Sequence, residues 1–130
     1  MANSRHTPVQ MPRVLAVDDE QRYLDSLQFL LSRSYQLVGV TTAVAALHML
    51  KEGPRFEVVL LDLNLGASDA DGIALLQQIR EQMPSLPVVI LTGSGSIERA
   101  VEAMKTGAAD YLLKGGSVEA EPEFYITECT

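Results

Sequence analysis

Short apolar runs of strand length alternate with segments of helical periodicity along this chain, and this alternation constrains the fold more than any other feature. The apolar runs fall at residues 14–17, 37–40, 56–61, 88–91 and 111–113. Three of them are apolar without alternation, as expected for parallel strands that are covered on both faces. The pattern therefore predicts an open α/β sheet of five parallel strands joined by right-handed crossover helices.

Between the runs, apolar side chains recur at spacings near 3.6 residues, which predicts four amphipathic helices. The positions expected to face the core are Leu24, Leu27, Leu30, Leu31, Val44, Leu47, Leu50, Ile73, Leu76, Ile79, Ile97, Val101 and Met104. Asp71 and Ser96 are candidate N-caps, and Gly53, Pro84 and Gly107 mark expected helix ends.

Composition restricts the partners and the compartment. The net charge is −7, and the ten lysines and arginines are scattered, so direct nucleic-acid binding is not expected. The single cysteine, Cys129, rules out a disulfide framework or a cysteine zinc site. No apolar run approaches the roughly 20 residues of a membrane span, and residues 1–12 lack a secretory apolar segment. A cytoplasmic location without membrane contact is expected.

The chain divides into three segments by composition. Residues 1–12 are expected to be a flexible start, and residues 13–114 carry the α/β pattern. Residues 115–130 contain four glutamates and no base. Gly115-Gly116 and Pro122 argue against a full-length fifth helix there, so an atypical acidic segment is expected in its place. This abrupt end is slightly more typical of a fragment than of a complete protein.

Polar side chains stand at the carboxyl ends of four predicted strands, where open α/β sheets bind ligands. They are Asp18 and Asp19 after the first strand, Asp62 after the third, Thr92 after the fourth and Lys114 after the fifth. Three clustered carboxylates repel one another unless a cation intervenes, and oxygen-only ligands favour Mg²⁺, or Mn²⁺, over zinc. Lys114 and Thr92 are suited to hold phosphoryl oxygens, and Asp62 is suited to accept the group as a nucleophile that needs no general base.

Four segments resemble the signature segments of the receiver domain of two-component response regulators. They are VLAVDDE at 14–20, VLLDLNL at 59–65, VILTG at 89–93 and GAADYLLK at 107–114. The resemblance covers about residues 13–114 and implies a flavodoxin-like fold with strand order 2-1-3-4-5. The segment around 92–104 is most similar to receivers attached to DNA-binding transcription activators.

The resemblance also implies a metal site and a phosphoacceptor. Asp62 would be phosphorylated by a partner histidine kinase or phosphotransfer protein. Asp19 and Asp62 would bind Mg²⁺ directly, together with the main-chain carbonyl of Asn64, and Asp18 would act through water. The domain would control an output domain or downstream effector, with homodimer formation possible, and it would catalyse only its own phosphotransfer and autodephosphorylation.

A switch is implied by the same resemblance. Lys114 would pair with the phosphoryl group, and the backbone amides of Asn64 and Gly93 would contact its oxygens. Thr92 would move to hydrogen-bond the group, and the ring of Tyr111 would turn inward as Thr92 moves. The surface around the fourth helix and fifth strand would change as a result.

Two departures from the family pattern and three other interpretations bear on these expectations. Gly115 stands where the family commonly has a proline, and the loop at 65–72 lacks the usual proline and is about two residues longer.

A pseudo-receiver would keep the fold as a phosphorylation-independent interaction module. A phosphatase of the haloacid-dehalogenase type, suggested by residues 62–65, normally has its nucleophile on the first strand. A dinucleotide loop at 93–98 lacks its third glycine.

Overall fold

A computed structural model of the chain describes residues 11–65, 70–92 and 97–114. Within those ranges, no helix combines the length and the apolar character that a membrane crossing requires. Several sequence predictions lie outside the described residues: Gly93, the N-cap Ser96, and the segment 115–130 with Gly115 and the expected replacement of a fifth helix. The central part of the loop at 65–72 also lies outside them.

Five parallel strands form one sheet in the order β2-β1-β3-β4-β5, which confirms the predicted architecture. The strands are β1 Arg13–Val17, β2 Gln36–Val40, β3 Val58–Asp62, β4 Val88–Thr92 and β5 Asp110–Leu113. Every residue of β3 and β4 is buried, in agreement with their continuous apolar runs. The order reverses direction at β1 and β3, so the carboxyl ends of these neighbours border the crevice where such sheets bind ligands.

Four helices connect the strands. They are α1 Gln21–Leu31, α2 Ala43–Glu52, α3 Ala70–Gln82 and α4 Ile97–Thr106. The predicted helix ends are confirmed, and Gly107 takes a φ of +121° after α4, a conformation that favours glycine. The prediction of Asp71 as an N-cap is wrong, because α3 already begins at Ala70 and Asp71 is helical.

The core has two layers, one on each face of the sheet. Alternation along each strand sends successive side chains to opposite layers. On β3, for example, Leu60 packs in the layer that contains α1, whereas Leu61 packs in the layer that contains α2 and α3. On β5, Leu112 belongs to the α1 layer.

The sequence pattern assigned the wrong inward face to parts of three helices. Four positions expected in the core are exposed instead: Leu30 (43%), Val44 (79%), Val101 (45%) and Met104 (40%). Alanines take the inner positions of α2 and α4, where Ala46, Ala100 and Ala103 are buried. A methyl side chain lets the helix lie close to the sheet, so the larger apolar residues beside the alanines are left outside.

Candidate functional site

The alternation of the strands places an acid and a base on the same side of the sheet. Leu60 and Leu112 point into the α1 layer, so Asp62 and Lys114, two residues further along, continue on that side. Ala16 also belongs to the α1 layer, and Asp18 follows two residues later. The structure therefore gathers these charges at the carboxyl edge of the sheet, close to the start of α1.

Lys114 connects the strand ends. Its Nζ donates a hydrogen bond to Asp18 Oδ2 and another to Asp62 Oδ2, the latter at 3.2 Å. Its backbone N–H donates to the Thr92 carbonyl at 2.8 Å, which fixes the end of β5 against the end of β4. Asp18, Asp62 and Lys114, which the sequence placed at one edge of the sheet, thus form a bridged ion-pair group, and the ion pairs themselves were not predicted.

Both buried aspartates are held by backbone amides two residues further on. Asp18 Oδ1 accepts from the N–H of Glu20 at 2.8 Å, and Asp62 Oδ1 accepts from the N–H of Asn64 at 3.0 Å. Such local turns suit aspartate because its short side chain reaches its own backbone. In addition, the Asp18 N–H donates to the carbonyl of Val40 on β2 at 3.1 Å. Asp18 and Asp62 are 2% and 4% exposed, so both side chains have fixed surroundings.

Burial, hydrogen bonds and nearby charges shift the pKa of both Asp62 and Lys114. It raises the pKa of Asp62 above the ordinary 3.8, an effect that the nearby charge of Asp18 reinforces. The hydrogen bond from Asn64 and the charge of Lys114 offset this rise only in part. For Lys114, burial alone would lower the pKa, but the hydrogen bond to Asp18 and the two carboxylate charges outweigh it and the pKa is raised. The ammonium is therefore firmly protonated, whereas the Asp62 carboxylate gains from any further positive charge.

The carboxylates fit a divalent cation. One oxygen from each of Asp18, Asp19 and Asp62 lies within 4.8 Å of the others. Asp19 is exposed, so an ion has access to the cluster from solvent. An all-oxygen donor set at an open edge suits Mg²⁺, which keeps several waters and takes one or two carboxylates.

A glycine at the start of α3 lets that helix lie against the site. A Cβ on Gly72 would be 2.5 Å from both the Cα and the carbonyl oxygen of Leu63. Leu63 lies between Asp62 and Asn64, so this contact helps to fix the turn that holds the Asp62 carboxylate. The close approach of the Leu63 backbone therefore explains why residue 72 is a glycine, which has no Cβ.

Thr92 and Tyr111 lie on the other face of the sheet. Thr92 ends β4 and is 8% exposed, and it is paired in register with Leu113. Tyr111 is 40% exposed and pairs with Ile90, and both side chains alternate with residues of the α1 layer. The structure thus brings Thr92 and Tyr111 to the face that carries α4.

One residue at the site was missed by the sequence reasoning. The ring of Tyr23, in the first turn of α1, lies under the Lys114 ammonium, with Nζ 4.3 Å from the ring centroid. A signal was present, because Tyr23, Leu27 and Leu31 recur every four residues and form one stripe of the helix. The stripe indicates that Tyr23 faces the sheet, but the contact of its ring with Lys114 depends on the register of β5.

The comparison with protein families decides the class of this chain. The family model described as the response regulator receiver domain matches residues 14–120. The chain belongs to the response regulator receiver family. The resemblance noted in the sequence is therefore confirmed, and so is the flavodoxin-like fold.

Relatives of this receiver domain include longer regulators. It is 42% identical over 103 residues to the response regulator protein FleR of Pseudomonas aeruginosa, a match that covers 78% of this chain and 21% of FleR. It is 40% identical over 102 residues to the transcriptional regulatory protein ZraR of Escherichia coli, which covers 78% of this chain and 22% of ZraR. The matched region thus spans about a fifth of these relatives. The description of ZraR agrees with the predicted similarity to receivers of transcription regulators.

Solved receiver domains have the same fold. The receiver domain of NtrX from Brucella abortus is 34% identical with a TM-score of 0.77, and the match covers 90% of this chain and 99% of that one. A CheY-like receiver domain protein from Methanospirillum hungatei has a TM-score of 0.81 at 26% identity, with 92% and 94% covered.

Proposed function

We propose that this receiver domain accepts a phosphoryl group on Asp62, with Mg²⁺ bound beside it, from the phosphohistidine of a sensor histidine kinase or phosphotransfer protein. One observation carries the proposal. Lys114 reaches from the end of β5 to contact both Asp18 and Asp62, at an edge where Asp19 adds a third carboxylate. The arrangement offers a nucleophile, a cation site and a fixed ammonium within a few ångströms of one another.

The proposed transfer is a displacement at phosphorus. An Asp62 carboxylate oxygen forms the new O–P bond while the P–N bond of the phosphohistidine breaks, and the imidazole leaves with the electron pair and takes up a proton. Bound Mg²⁺, held by Asp19, Asp62 and the main-chain carbonyl of Asn64 with Asp18 acting through water, would neutralise the phosphoryl oxygens. Slow attack of water on phosphorus then breaks the O–P bond and restores the carboxylate.

The protein's own groups prepare Asp62 for this role. The N–H of Asn64 and the ammonium of Lys114 each hold one carboxylate oxygen, so the side chain is oriented before the donor arrives. We infer that the same N–H and ammonium bind phosphoryl oxygens afterwards, and we assign the same backbone role to Gly93. Burial raises the pKa of Asp62, and these two donors offset part of that rise by favouring the ionised carboxylate.

We infer that phosphorylation changes the face of the sheet opposite to Asp62. We infer that Thr92 moves toward the phosphoryl group and that Tyr111 turns inward with it, which changes the surface formed by α4 and β5. An output domain, a downstream effector or a second copy of the chain would sense that surface. The exchange is proposed to take place in the cytoplasm.

The pseudo-receiver alternative has less support. A module that no longer accepts a phosphoryl group has no requirement for the residues that perform the transfer. Here Lys114 still contacts both buried aspartates, and both carboxylates keep their backbone amide donors. These contacts favour a working phosphoacceptor.

The experiment is phosphorylation by a small donor. Acetyl phosphate with Mg²⁺ is expected to add one phosphoryl group to the chain, measured as intact mass, in an acid-stable form that hydroxylamine removes. Asp62→Asn should abolish the adduct, whereas Asp25→Asn, the same change on the exposed face of α1, should leave it intact. A wild-type chain without adduct, or an adduct that persists in Asp62→Asn, would refute the proposal. Turnover of many equivalents of a phosphate monoester would instead indicate a phosphatase.

A further inference from the structure

We propose that Tyr23 is a positioning residue that holds the Lys114 ammonium against Asp18 and Asp62 through the face of its ring. The inference rests on the proposed function, since the ammonium matters most when a phosphoryl group is transferred. It adds a residue that neither the sequence motifs nor the ion-pair geometry includes.

The backbone around Lys114 gives its side chain little restriction. Lys114 directly follows the last residue of β5. The hydrogen bond from its backbone N–H to the Thr92 carbonyl fixes the backbone but not the side chain. A lysine side chain also has a flexible four-carbon stem, so contacts from other elements must fix the ammonium.

Tyr23 supplies such a contact from a well-anchored position. Its backbone N–H donates to the Glu20 carbonyl at 3.0 Å in the first turn of α1. Its half-buried ring packs against the α1 core layer. The ammonium lies 4.3 Å from the ring centroid, within the range of a cation–π interaction. Three groups therefore surround Lys114 Nζ: the carboxylates of Asp18 and Asp62 and the ring of Tyr23.

An aromatic ring has a specific advantage at this point. It attracts the ammonium without carrying a charge, so it adds no negative charge that would repel an incoming phosphoryl group. It also leaves the carboxylate oxygens to the metal. When Asp62 becomes an acyl phosphate, the ammonium exchanges a carboxylate partner for phosphoryl oxygens, and the ring keeps it in place during this exchange.

The test compares three substitutions of tyrosine in the full chain. Tyr23→Leu removes the ring and keeps an apolar side chain, Tyr23→Phe keeps the ring, and Tyr35→Leu is the matched control. Tyr35 is buried in the same core layer but lies just before β2, at the amino end of the sheet. The initial rate of Asp62 phosphorylation by acetyl phosphate is measured at saturating Mg²⁺, and the Mg²⁺ affinity is measured by calorimetry.

The expected results separate positioning from a structural role. Tyr23→Leu should slow phosphorylation by roughly two- to thirty-fold, the range of a cation–π contact, with unchanged Mg²⁺ affinity. Tyr23→Phe should restore the rate to within about twofold of wild type, since the ring face is retained. Tyr35→Leu should lower stability without changing the rate of the folded protein. In a Lys114→Met background, Tyr23→Leu should cause no further loss.

Other outcomes overturn the inference. It fails if Tyr23→Leu is phosphorylated at the wild-type rate, if Tyr23→Phe is as slow as Tyr23→Leu, or if Tyr23→Leu lowers the rate equally without Lys114. Urea unfolding checks that each variant is folded, and Tyr23→Met replaces Tyr23→Leu if the latter is not. A wild-type chain that takes up no phosphoryl group refutes the proposed function instead, so the two failures are distinguishable.

Discussion

Gly72→Ala should destabilise this receiver domain, although helix propensity alone predicts the opposite. Gly72 is the third residue of α3, where alanine is intrinsically favoured over glycine by up to about 1 kcal/mol. The new Cβ, however, would lie 2.5 Å from the Cα and the carbonyl oxygen of Leu63. Ordinary contact begins at 3.4 Å, so the backbone of Leu63 or the helix must move by about 0.9 Å.

The steric term should prevail because both atoms belong to the backbone and no side chain can turn away. Overpacking costs about 1–3 kcal/mol, and a clash with two backbone atoms belongs at the upper end, which leaves a net loss of about 1–2 kcal/mol after the propensity gain. With a typical slope for urea, the unfolding midpoint should fall by about 0.5–1 M. The displaced Leu63 also carries Asn64 with it, so the 3.0 Å bond to Asp62 should lengthen and phosphorylation by acetyl phosphate should slow.

A matched substitution tests this reasoning. In Gly39→Ala, the nearest atoms to the new Cβ are side-chain carbons of Leu24 at 3.3 Å, which can shift slightly. This control should change the free energy of unfolding by less than about 0.5 kcal/mol and leave phosphorylation unchanged. If Gly72→Ala is as stable as wild type, or more stable, the claim that glycine is required against Leu63 is refuted.

Two further predictions concern protonation and backbone strain. Because burial raises the pKa of Asp62, the folded state binds its proton more tightly than the unfolded chain, so this group lowers stability as pH rises from about 3.8 through the folded-state value. Without Mg²⁺, Asp62→Asn should therefore be more stable than wild type in urea at pH 7, and this advantage should disappear below pH 3.8; a variant less stable than wild type at pH 7 would contradict the assignment. Gly107→Ala should cost about 2–4 kcal/mol, because φ is +121° and the new Cβ lies 2.6 Å from Arg80 Cδ. In an Arg80→Ala background the cost should shrink, because the clash is removed and only the strain remains; an equal cost would argue against the clash.

The fold was largely predictable because parallel strands and crossover helices have distinct periods. The apolar runs predicted all five strands, and the strand ends predicted that Asp18, Asp62 and Lys114 would lie at the same edge of the sheet. The helix faces were less predictable, because valine is more hydrophobic than alanine and the periodicity therefore assigns the valine to the core. In α4, Val101 was expected inside, but the structure buries Ala100 because a small residue permits closer packing.

The sequence by itself determined which charged side chains meet at the carboxyl edge of the sheet. Asp18, Asp62 and Lys114 each directly follow an apolar run, and a parallel sheet brings all such ends to one edge, so the identity of these residues was local information. Only the tertiary structure decided how those groups are held. The ring of Tyr23 lies under Lys114, which is distant in the chain, and Gly72 contacts Leu63 across the loop between β3 and α3. Their distances depend on how the helices pack against the sheet, and no local pattern encodes that packing.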